Sequence, residues 1–208
     1  MVEERAQGGS RNHQVIVLAG PSGSGKSHLA DRLGLPVLRL DDFYKEGDDP
    51  TLPRLDLAGG DPIVDWDHPD SWNAAAAVAA IEELCRTGRT DAPVYDLATS
   101  STTGHRVVEL TGAAYFVAEG IFAQEIVAEC TGRALLADAV CVTQRPVVTF
   151  VRRFSRDLRE HRKPPLVLLR RGLHLMRAHR AVVRHAEERG CRVLATGAAY
   201  AEIRALIA

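Results

Sequence analysis

The sequence predicts an α/β fold in which a five-stranded parallel sheet is flanked by helices. Short apolar runs alternate with helix-compatible segments, which is typical of a parallel sheet covered on both faces. The first apolar run leads directly into GPSGSGKS, residues 20–27, which fits the phosphate-binding pattern G-x-x-x-x-G-K-[ST] without a mismatch. The predicted strands are Val15–Ala19, Val37–Leu40, Tyr115–Ala118, Ala139–Val142 and Arg192–Ala195.

The glycine-rich loop between the first strand and the first helix predicts a nucleotide site. Its glycines allow positive φ and a close approach of the backbone to a ligand, and successive amide groups with a helix N-terminus suit an anion. In such loops Lys26 can reach the β- and γ-phosphates and Ser27 can ligate Mg²⁺. The predicted ligand is a nucleoside triphosphate, and the loop leaves ATP and GTP both open. The residues expected to contact it are Gly20, Ser22, Gly23, Ser24, Gly25, Lys26, Ser27 and His28.

Helical segments follow from apolar spacing and from residues that start or stop helices. The alanine-rich segment has Gly88 as its C-terminal stop, and Asp70 or Ser71 is the expected N-cap. Pro146 fits the first turn of a helix, and Pro164-Pro165 interrupts the helical pattern. The predicted helices are Ser27–Leu33, Ser71–Thr87, one beginning at Pro146, one from about Leu166 to Arg189, and Ala199–Ile207.

The composition predicts a single domain and excludes several classes of protein. A chain of 208 residues can form one core, and we expect a flexible leader over residues 1–13 and one domain over 14–208. The polar N-terminus lacks the apolar region of a signal peptide, and no uncharged apolar stretch could span a bilayer. The four cysteines form no C-x-x-C pair, which indicates buried structural thiols and a cytoplasmic protein rather than a zinc or redox site.

Basic residues are concentrated late in the chain. Residues 145–192 carry 14 Lys or Arg residues against four acids, whereas the preceding part of the chain is acidic. A basic segment can bind nucleic acid, but aromatic residues for base stacking are sparse there, so this partner is disfavoured. The alternatives are closure over a triphosphate and a subunit interface, which leaves a homo-oligomer open.

Acidic clusters follow two of the predicted strands. Asp41-Asp42-Phe43-Tyr44-Lys45 follows the second strand, and Glu119-Gly120-Ile121-Phe122 closes the third. Ligands of open α/β sheets bind beyond the carboxyl ends of strands, where a carboxylate can accept a proton from a hydroxyl or sit near Mg²⁺. A helix cap or a solvated acidic loop is the structural alternative for both clusters.

Two further segments interrupt the alternation of strands and helices, at about residues 41–70 and 93–110. In the first, Asp65–Trp72 (DWDHPDSW) combines acids, a histidine and two tryptophans, and a carboxylate there can bind a vicinal diol. The second predicts a hairpin of Val94–Tyr95 and Arg106–Leu110 joined by the loop Thr99–Gly104. Both are candidate substrate-side insertions.

A cluster of arginines lies in the basic segment, at RRFSRD (152–157) and RKPP (162–165). Arginines from a mobile segment can neutralise the charge that develops during phosphoryl transfer. The spacing of Arg152, Arg156 and Arg159 also fits a solvated helix face.

Taken in order, these motifs resemble the uridine kinase (uridine–cytidine kinase) family of P-loop nucleoside kinases. The resemblance lies in GPSGSGKS, DDFYK, DWDHPDSW, PVYD, EGIF and RRFSRD, which run from residue 20 to about 165. It implies a P-loop kinase fold with a β-hairpin substrate insertion and a helical lid at about 152–170. The implied activity is ATP- and Mg²⁺-dependent phosphorylation of a nucleoside 5′-hydroxyl, with uridine or cytidine as the small-molecule substrate, in pyrimidine salvage.

The resemblance also implies roles for single residues. Asp41 acts on the 5′-hydroxyl as base or metal-linked acid, and it is catalytic together with Lys26 and Arg156. The implied metal ligands are Ser27, Asp41 and Glu119. The implied acceptor-side residues are Asp41, Tyr44, Asp67, His68, Tyr95, Arg156 and Lys163, and Arg152 adds to the nucleotide site.

The chain departs from the family pattern in two places. No histidine follows PVYD before His105, and the lid reads HRKPP in place of an arginine–glycine–arginine run. These differences concern the base preference more than the reaction. The alternatives are a P-loop kinase of another small acceptor, such as a nucleoside monophosphate, a vitamin precursor or a sugar, and a non-catalytic nucleotide-binding regulator.

Overall fold

The computed structural model describes residues 13–56, 61–144 and 180–208. The strands in these ranges are β1 (Gln14–Ala19), β2 (Val37–Arg39), β3 (Arg54–Leu55), β4 (Ile63–Val64), β5 (Arg89–Asp96), β6 (Ser101–Glu109), β7 (Tyr115–Glu119), β8 (Leu136–Thr143) and β9 (Arg192–Ala195). The helices are α1 (Lys26–Leu33), α2 (Ala74–Thr87), α3 (Val127–Gly132), α4 (the described residues 180–188) and α5 (Thr196–Leu206). Short 3-10 turns occupy Leu40–Asp42, Pro69–Ser71 and Ala123–Ile126.

The central sheet has five strands in the order β2-β7-β1-β8-β9, and every pair is parallel. All five predicted strands are confirmed, and Arg192–Ala195 has the predicted bounds. Leu40 is not part of β2, because it begins the 3-10 turn that follows. Strand β8 begins at Leu136, earlier than its apolar core suggested.

Helices cover both faces of the sheet. Val15 to Ala19 of β1 are 0% exposed, so neither face of the central strand is open to solvent. Alternate residues divide between two cores: Val15 and Val17 pack with α2 and α3, and Ile16 and Leu18 pack with α1 and α5. This is the layered arrangement that the alternating pattern predicts.

Helix α2 begins later than expected. Its N-cap is Asn73, whose side chain accepts a hydrogen bond from the Ala76 N–H at 3.0 Å, so the predicted cap at Asp70 or Ser71 is wrong. Asp70 and Ser71 lie in a separate 3-10 turn that precedes the helix. The predicted stop is confirmed, since Gly88 has φ 75°, a left-handed conformation that suits glycine.

The hairpin of β5 and β6 is longer than predicted. The strands pair antiparallel from Arg89 opposite Glu109 to Asp96 opposite Ser101. The predicted loop Thr99–Gly104 is wrong, because residues 101–104 belong to β6 and the connection is residues 97–100. Polar Ser and Thr residues are tolerated there because this part of β6 is not buried in the core.

Other predictions can be assigned only in part. Residues 1–12 of the predicted leader 1–13, the helix from Pro146 and the lid at about 152–170 lie outside the described residues. The described residues 180–188 are helical and are followed by Gly190 at φ 96°, as expected for the end of the long basic helix. All four cysteines are buried and free. Within the described ranges, no helix has the length and apolar character needed to cross a membrane.

Candidate active site

The phosphate-binding loop follows β1 and has the backbone shape that its glycines predict. Gly20, Gly23 and Gly25 have φ values of 130°, 83° and 98°, which L side chains rarely adopt. A Cβ on Gly20 would also collide with the carbonyl oxygen of Val142 on β8. Glycine is therefore required at this position both by conformation and by the neighbouring strand.

Lys26 lies folded over this loop. Its Nζ donates to the carbonyl oxygens of Gly20 at 2.8 Å and Pro21 at 3.3 Å, and the residue is 6% exposed. Ser24 is fully buried, whereas Ser27 and His28 are exposed and Ser22 is partly exposed. The loop thus holds a buried ammonium group next to an accessible hydroxyl at the start of α1.

Glu119 closes β7 and meets Ser27. The Ser27 Oγ donates to Glu119 Oε1 at 3.0 Å, and Glu119 is 8% exposed. Burial raises the pKa of the Glu119 carboxyl above its ordinary value, and the Lys26 ammonium opposes part of that rise. A carboxylate, a hydroxyl and an ammonium are therefore grouped at the carboxyl end of β1 and β7.

Asp41 approaches the same place from the turn after β2. Its Oδ1 accepts a hydrogen bond from the Ile121 N–H at 2.8 Å, and its charge contributes to the raised pKa of Glu119. Gly120 makes this approach possible, because a Cβ there would lie 2.8 Å from Asp41 Oδ1 and 2.9 Å from Leu40 Cβ. The structure therefore brings together Lys26, Ser27, Glu119 and Asp41, and the roles predicted for them towards ATP and Mg²⁺ stay predictions.

The next residue, Asp42, was not selected by the sequence analysis. Its Oδ1 accepts from the Tyr95 N–H at 3.5 Å, and its Oδ2 lies 3.6 Å from Arg106 Nη2. Burial raises the pKa of the Asp42 carboxyl, and the Tyr95 N–H and the Arg106 charge oppose that rise. Its position beside Asp41 was visible in the sequence, but its partners lie more than 50 residues away.

Four aromatic side chains pack together next to Asp42, which accepts from the Tyr95 N–H. The ring of Tyr44 lies 5.7 Å from Trp66, 5.6 Å from Tyr95 and 6.0 Å from Phe122, measured between centroids. We call these four residues the aromatic wall. The Tyr44 hydroxyl donates to the Trp66 carbonyl at 3.3 Å, and the Tyr95 hydroxyl donates to the Lys45 carbonyl at 2.9 Å. Tyr44 and Tyr95, which the resemblance places in the nucleoside pocket, lie in contact with each other. Trp66 and Phe122 were not predicted as site residues, although both lie within the motifs that carry the resemblance.

Asp67 and His68 lie next to the aromatic wall in sequence, on an exposed turn. The Asp67 N–H donates to Asp65 Oδ1 at 3.1 Å, and His68 Nδ1 accepts from the Asp70 N–H at 3.1 Å. Both side chains are exposed. Arg152, Arg156 and Lys163 lie outside the described residues.

The donor set fits magnesium bound together with a nucleotide. Mg²⁺ is usually held by one or two carboxylates plus substrate phosphates and water rather than by a cage of protein ligands. Ser27, Glu119 and Asp41 offer such a set. In the part of the chain that the structure describes, no group of three or more His, Cys, Asp or Glu residues could hold a metal by itself.

Comparison with known proteins agrees with this geometry. A solved structure described as a fructose transport system kinase from Silicibacter sp. TM1040 is 18% identical, with a TM-score of 0.57 over 94% of this chain and 91% of that one. That likeness concerns the fold, and together with the loop geometry it defines a protein with the P-loop kinase fold. No protein-family model matches the chain.

Sequence relatives of this chain include proteins named uridine kinase. A uridine kinase from Lactobacillus johnsonii is 28% identical over 159 residues, 73% of this chain and 71% of the relative. A uridine kinase from Clostridium novyi is 27% identical over 154 residues, 70% of this chain and 69% of the relative. The predicted resemblance to uridine kinases is therefore confirmed, and it supports a phosphotransferase of the kinase class.

Proposed function

We propose that this protein is an ATP-dependent kinase that phosphorylates the 5′-hydroxyl of a nucleoside, with uridine and cytidine as its preferred acceptors. The observation that carries the proposal is the meeting of Ser27, Glu119 and Asp41 beside the buried Lys26. The aromatic wall adjoins this group through Tyr44, three residues after Asp41.

The donor side of the reaction uses the loop and Lys26. The loop amides and the N-terminus of α1 would bind the triphosphate, and Lys26 would move from the Gly20 carbonyl to the β- and γ-phosphates. Ser27, Glu119 and Asp41 would hold Mg²⁺, which neutralises charge on the phosphates when bound. Glu119 accepts a hydrogen bond from Ser27, so the hydroxyl is already oriented for this role.

The acceptor side uses Asp41 and the aromatic wall. The Ile121 N–H holds Asp41 Oδ1, so the other oxygen of this carboxylate would accept the proton of the attacking hydroxyl. Tyr44 is partly exposed and Tyr95 is 9% exposed, so a pyrimidine base would stack on Tyr44, whose ring lies 5.6 Å from that of Tyr95. Asp67 and His68 would bind the ribose hydroxyls from the adjoining exposed turn.

The wider organisation is part of the same proposal. Residues 14–208 would form one kinase domain after a leader, with the acceptor-side insertions at about 41–70 and 93–110. Arg152, Arg156 and Lys163 would belong to a lid at about 152–170 that excludes water from the transfer. A cytoplasmic role in pyrimidine salvage fits this activity, and a homo-oligomer through the basic helix is compatible with it.

The test is ADP release from Mg·ATP with uridine, cytidine, purine nucleosides and fructose as acceptors. We expect turnover with uridine or cytidine, and a fall of at least about 100-fold in Lys26→Ala and Asp41→Asn, because each variant removes a group that acts on the transferred charge or proton. Asp31→Asn, an exposed acid on α1, is the matched control. Intact ATP binding without turnover of any nucleoside would contradict the proposal, and turnover with fructose alone would assign a sugar acceptor.

A further inference from the structure

We call the 3-10 turn Leu40–Asp42 the acidic turn. Its two adjacent acids, Asp41 and Asp42, are held by different segments of the chain. Asp41 accepts from the Ile121 N–H of the loop after β7. Asp42 instead contacts the hairpin, through the Tyr95 N–H at 3.5 Å and Arg106 Nη2 at 3.6 Å. The acidic turn therefore bridges the loop that carries Glu119 and the hairpin that carries Tyr95.

Arg106 reaches Asp42 because of the register of the hairpin. Arg106 lies opposite Ala92, which is fully buried in the core, so both side chains project from the face of the hairpin that packs on the core. His105 lies opposite Pro93 and is exposed, so the first histidine after PVYD projects from the other face. The Asp42 side chain is 17% exposed and that of Arg106 is 39% exposed, which makes the pair less screened than a surface salt bridge.

Other hydrogen bonds join the tip of the hairpin to residues that follow the acidic turn in the chain. The Tyr95 hydroxyl donates to the Lys45 carbonyl at 2.9 Å, and the Gly47 N–H donates to the Ser100 carbonyl at 2.8 Å. The Glu46 carboxylate accepts from the Thr102 N–H at 3.1 Å. These bonds attach the tip to residues 45–47, whereas the Asp42 contacts attach the hairpin to the acidic turn itself.

We propose that Asp42 and Arg106 form a positioning pair that sets the distance between the Asp41 carboxylate and the aromatic wall. The pair acts through Asp41 and Tyr95. This inference rests on the proposed function, since its kinetic consequence is the fit of the acceptor between base and wall. An acceptor held at one end by Asp41 and at the other by the aromatic wall fits only when the two are kept at one separation.

The experiment is a double-mutant cycle of Asp42→Ala and Arg106→Met, with KM measured separately for the acceptor and for ATP. We expect each single variant to raise the acceptor KM by about fivefold, which corresponds to the loss of one partly buried ion pair, and to leave the KM for ATP within about twofold. The double variant should be no worse than the worse single variant, because both remove the same coupling. Arg106→Lys should recover most of the acceptor affinity, since it keeps the charge.

Glu46→Gln is the matched control, because it weakens a hairpin contact that does not reach the acidic turn. It should leave the acceptor KM within about twofold if the Asp42–Arg106 pair, and not the hairpin tip as a whole, positions the acceptor. Two results would overturn the inference: KM increases that multiply in the double variant, or an equal increase in the Glu46→Gln variant.

Amide hydrogen exchange at Tyr95 separates this inference from the proposed function. We expect exchange at this amide to be faster by about tenfold in both single variants, with no further increase in the double variant. If the wild-type protein phosphorylates no nucleoside, the proposed function fails, and exchange alone decides whether the pair couples the hairpin to the acidic turn. Unchanged exchange would overturn the pair even in an active nucleoside kinase.

Discussion

Replacing Gly120 with alanine tests the geometry on which the candidate active site depends. A Cβ at this position would lie 2.8 Å from Asp41 Oδ1, 2.9 Å from Leu40 Cβ and 3.3 Å from the Asp41 nitrogen. The contacts at 2.8 and 2.9 Å are shorter than real Cβ atoms show. All three neighbours belong to the acidic turn, and Leu40 Cβ and the Asp41 nitrogen cannot move away as the end of a flexible side chain could. Either the acidic turn or the loop after β7 must therefore move.

Movement of either segment breaks the 2.8 Å hydrogen bond from the Ile121 N–H to Asp41. A hydrogen bond to a charged group contributes about 1.5–3 kcal/mol, and overpacking of a well-packed site costs about 1–3 kcal/mol. Because one displacement both relieves the clash and breaks the bond, we expect Gly120→Ala to lower the free energy of unfolding by about 2–4 kcal/mol. A shift of about 1 Å in Asp41 should lower kcat by about 100-fold.

Urea unfolding and ADP release measure the two effects on the same preparation. Gly132→Ala is the matched control, since a Cβ on Gly132 meets no heavy atom within 4 Å and this glycine does not have positive φ. The control should keep both stability and activity. Full activity with unchanged stability in Gly120→Ala would refute the packing of Asp41 against the loop after β7.

Three further measurements address the cap, the thiols and the tyrosine. Asn73→Ala should lower the free energy of unfolding by about 1 kcal/mol in urea, because it removes the N-cap of α2. Asp70→Ala should lower it by only about 0.3 kcal/mol. The reverse order would restore the cap predicted from the sequence. Burial raises the pKa of Cys130 and Cys191 to about 12, so an aromatic disulfide reagent at pH 8 should leave both thiols unmodified in the native protein. In urea the reagent should label all four cysteines. Rapid labelling of the native protein would contradict the burial of these thiols. Burial also raises the pKa of Tyr95 from 10.0 to about 12, so the stability that its neutral hydroxyl contributes should be complete below pH 10 and lost as the pH rises towards 12. Tyr95→Phe should remove this part of the pH dependence of unfolding. The same dependence of stability on pH in Tyr95→Phe and in the wild-type protein would argue against burial of the hydroxyl.

The strands of the central sheet could be predicted because their signals are local. Each is a short apolar run, and in a sheet covered on both faces every residue of a run can be buried, as Val15 to Ala19 are. The phosphate-binding loop was also predictable, since its glycines answer a backbone requirement that lies within the loop. The same locality explains the stop of α2 at Gly88.

Features that depend on distant partners could not be predicted in this way. Asp70, Ser71 and Asn73 are all residue types that cap helices, and only the folded backbone selects Asn73. Asp41 and Asp42 are chemically the same in the sequence, but one meets the Ile121 N–H and the other meets Arg106. Their roles differ because two separate segments approach the acidic turn from two sides.

The order of the strands explains why a site forms from motifs so far apart in the chain. The phosphate-binding loop follows β1, the acidic turn follows β2, and Glu119 ends β7. The sequence predicts that all three lie at the carboxyl edge of a parallel sheet, but it does not predict which strands are neighbours. Because β7 lies between β2 and β1, Glu119 can accept a hydrogen bond from Ser27 on one side while the residue two positions later, Ile121, donates to Asp41 on the other. Exchanging β7 with an outer strand would keep every motif and separate the carboxylates from the phosphate-binding loop, so the topology is as much a determinant of the proposed chemistry as the residues are.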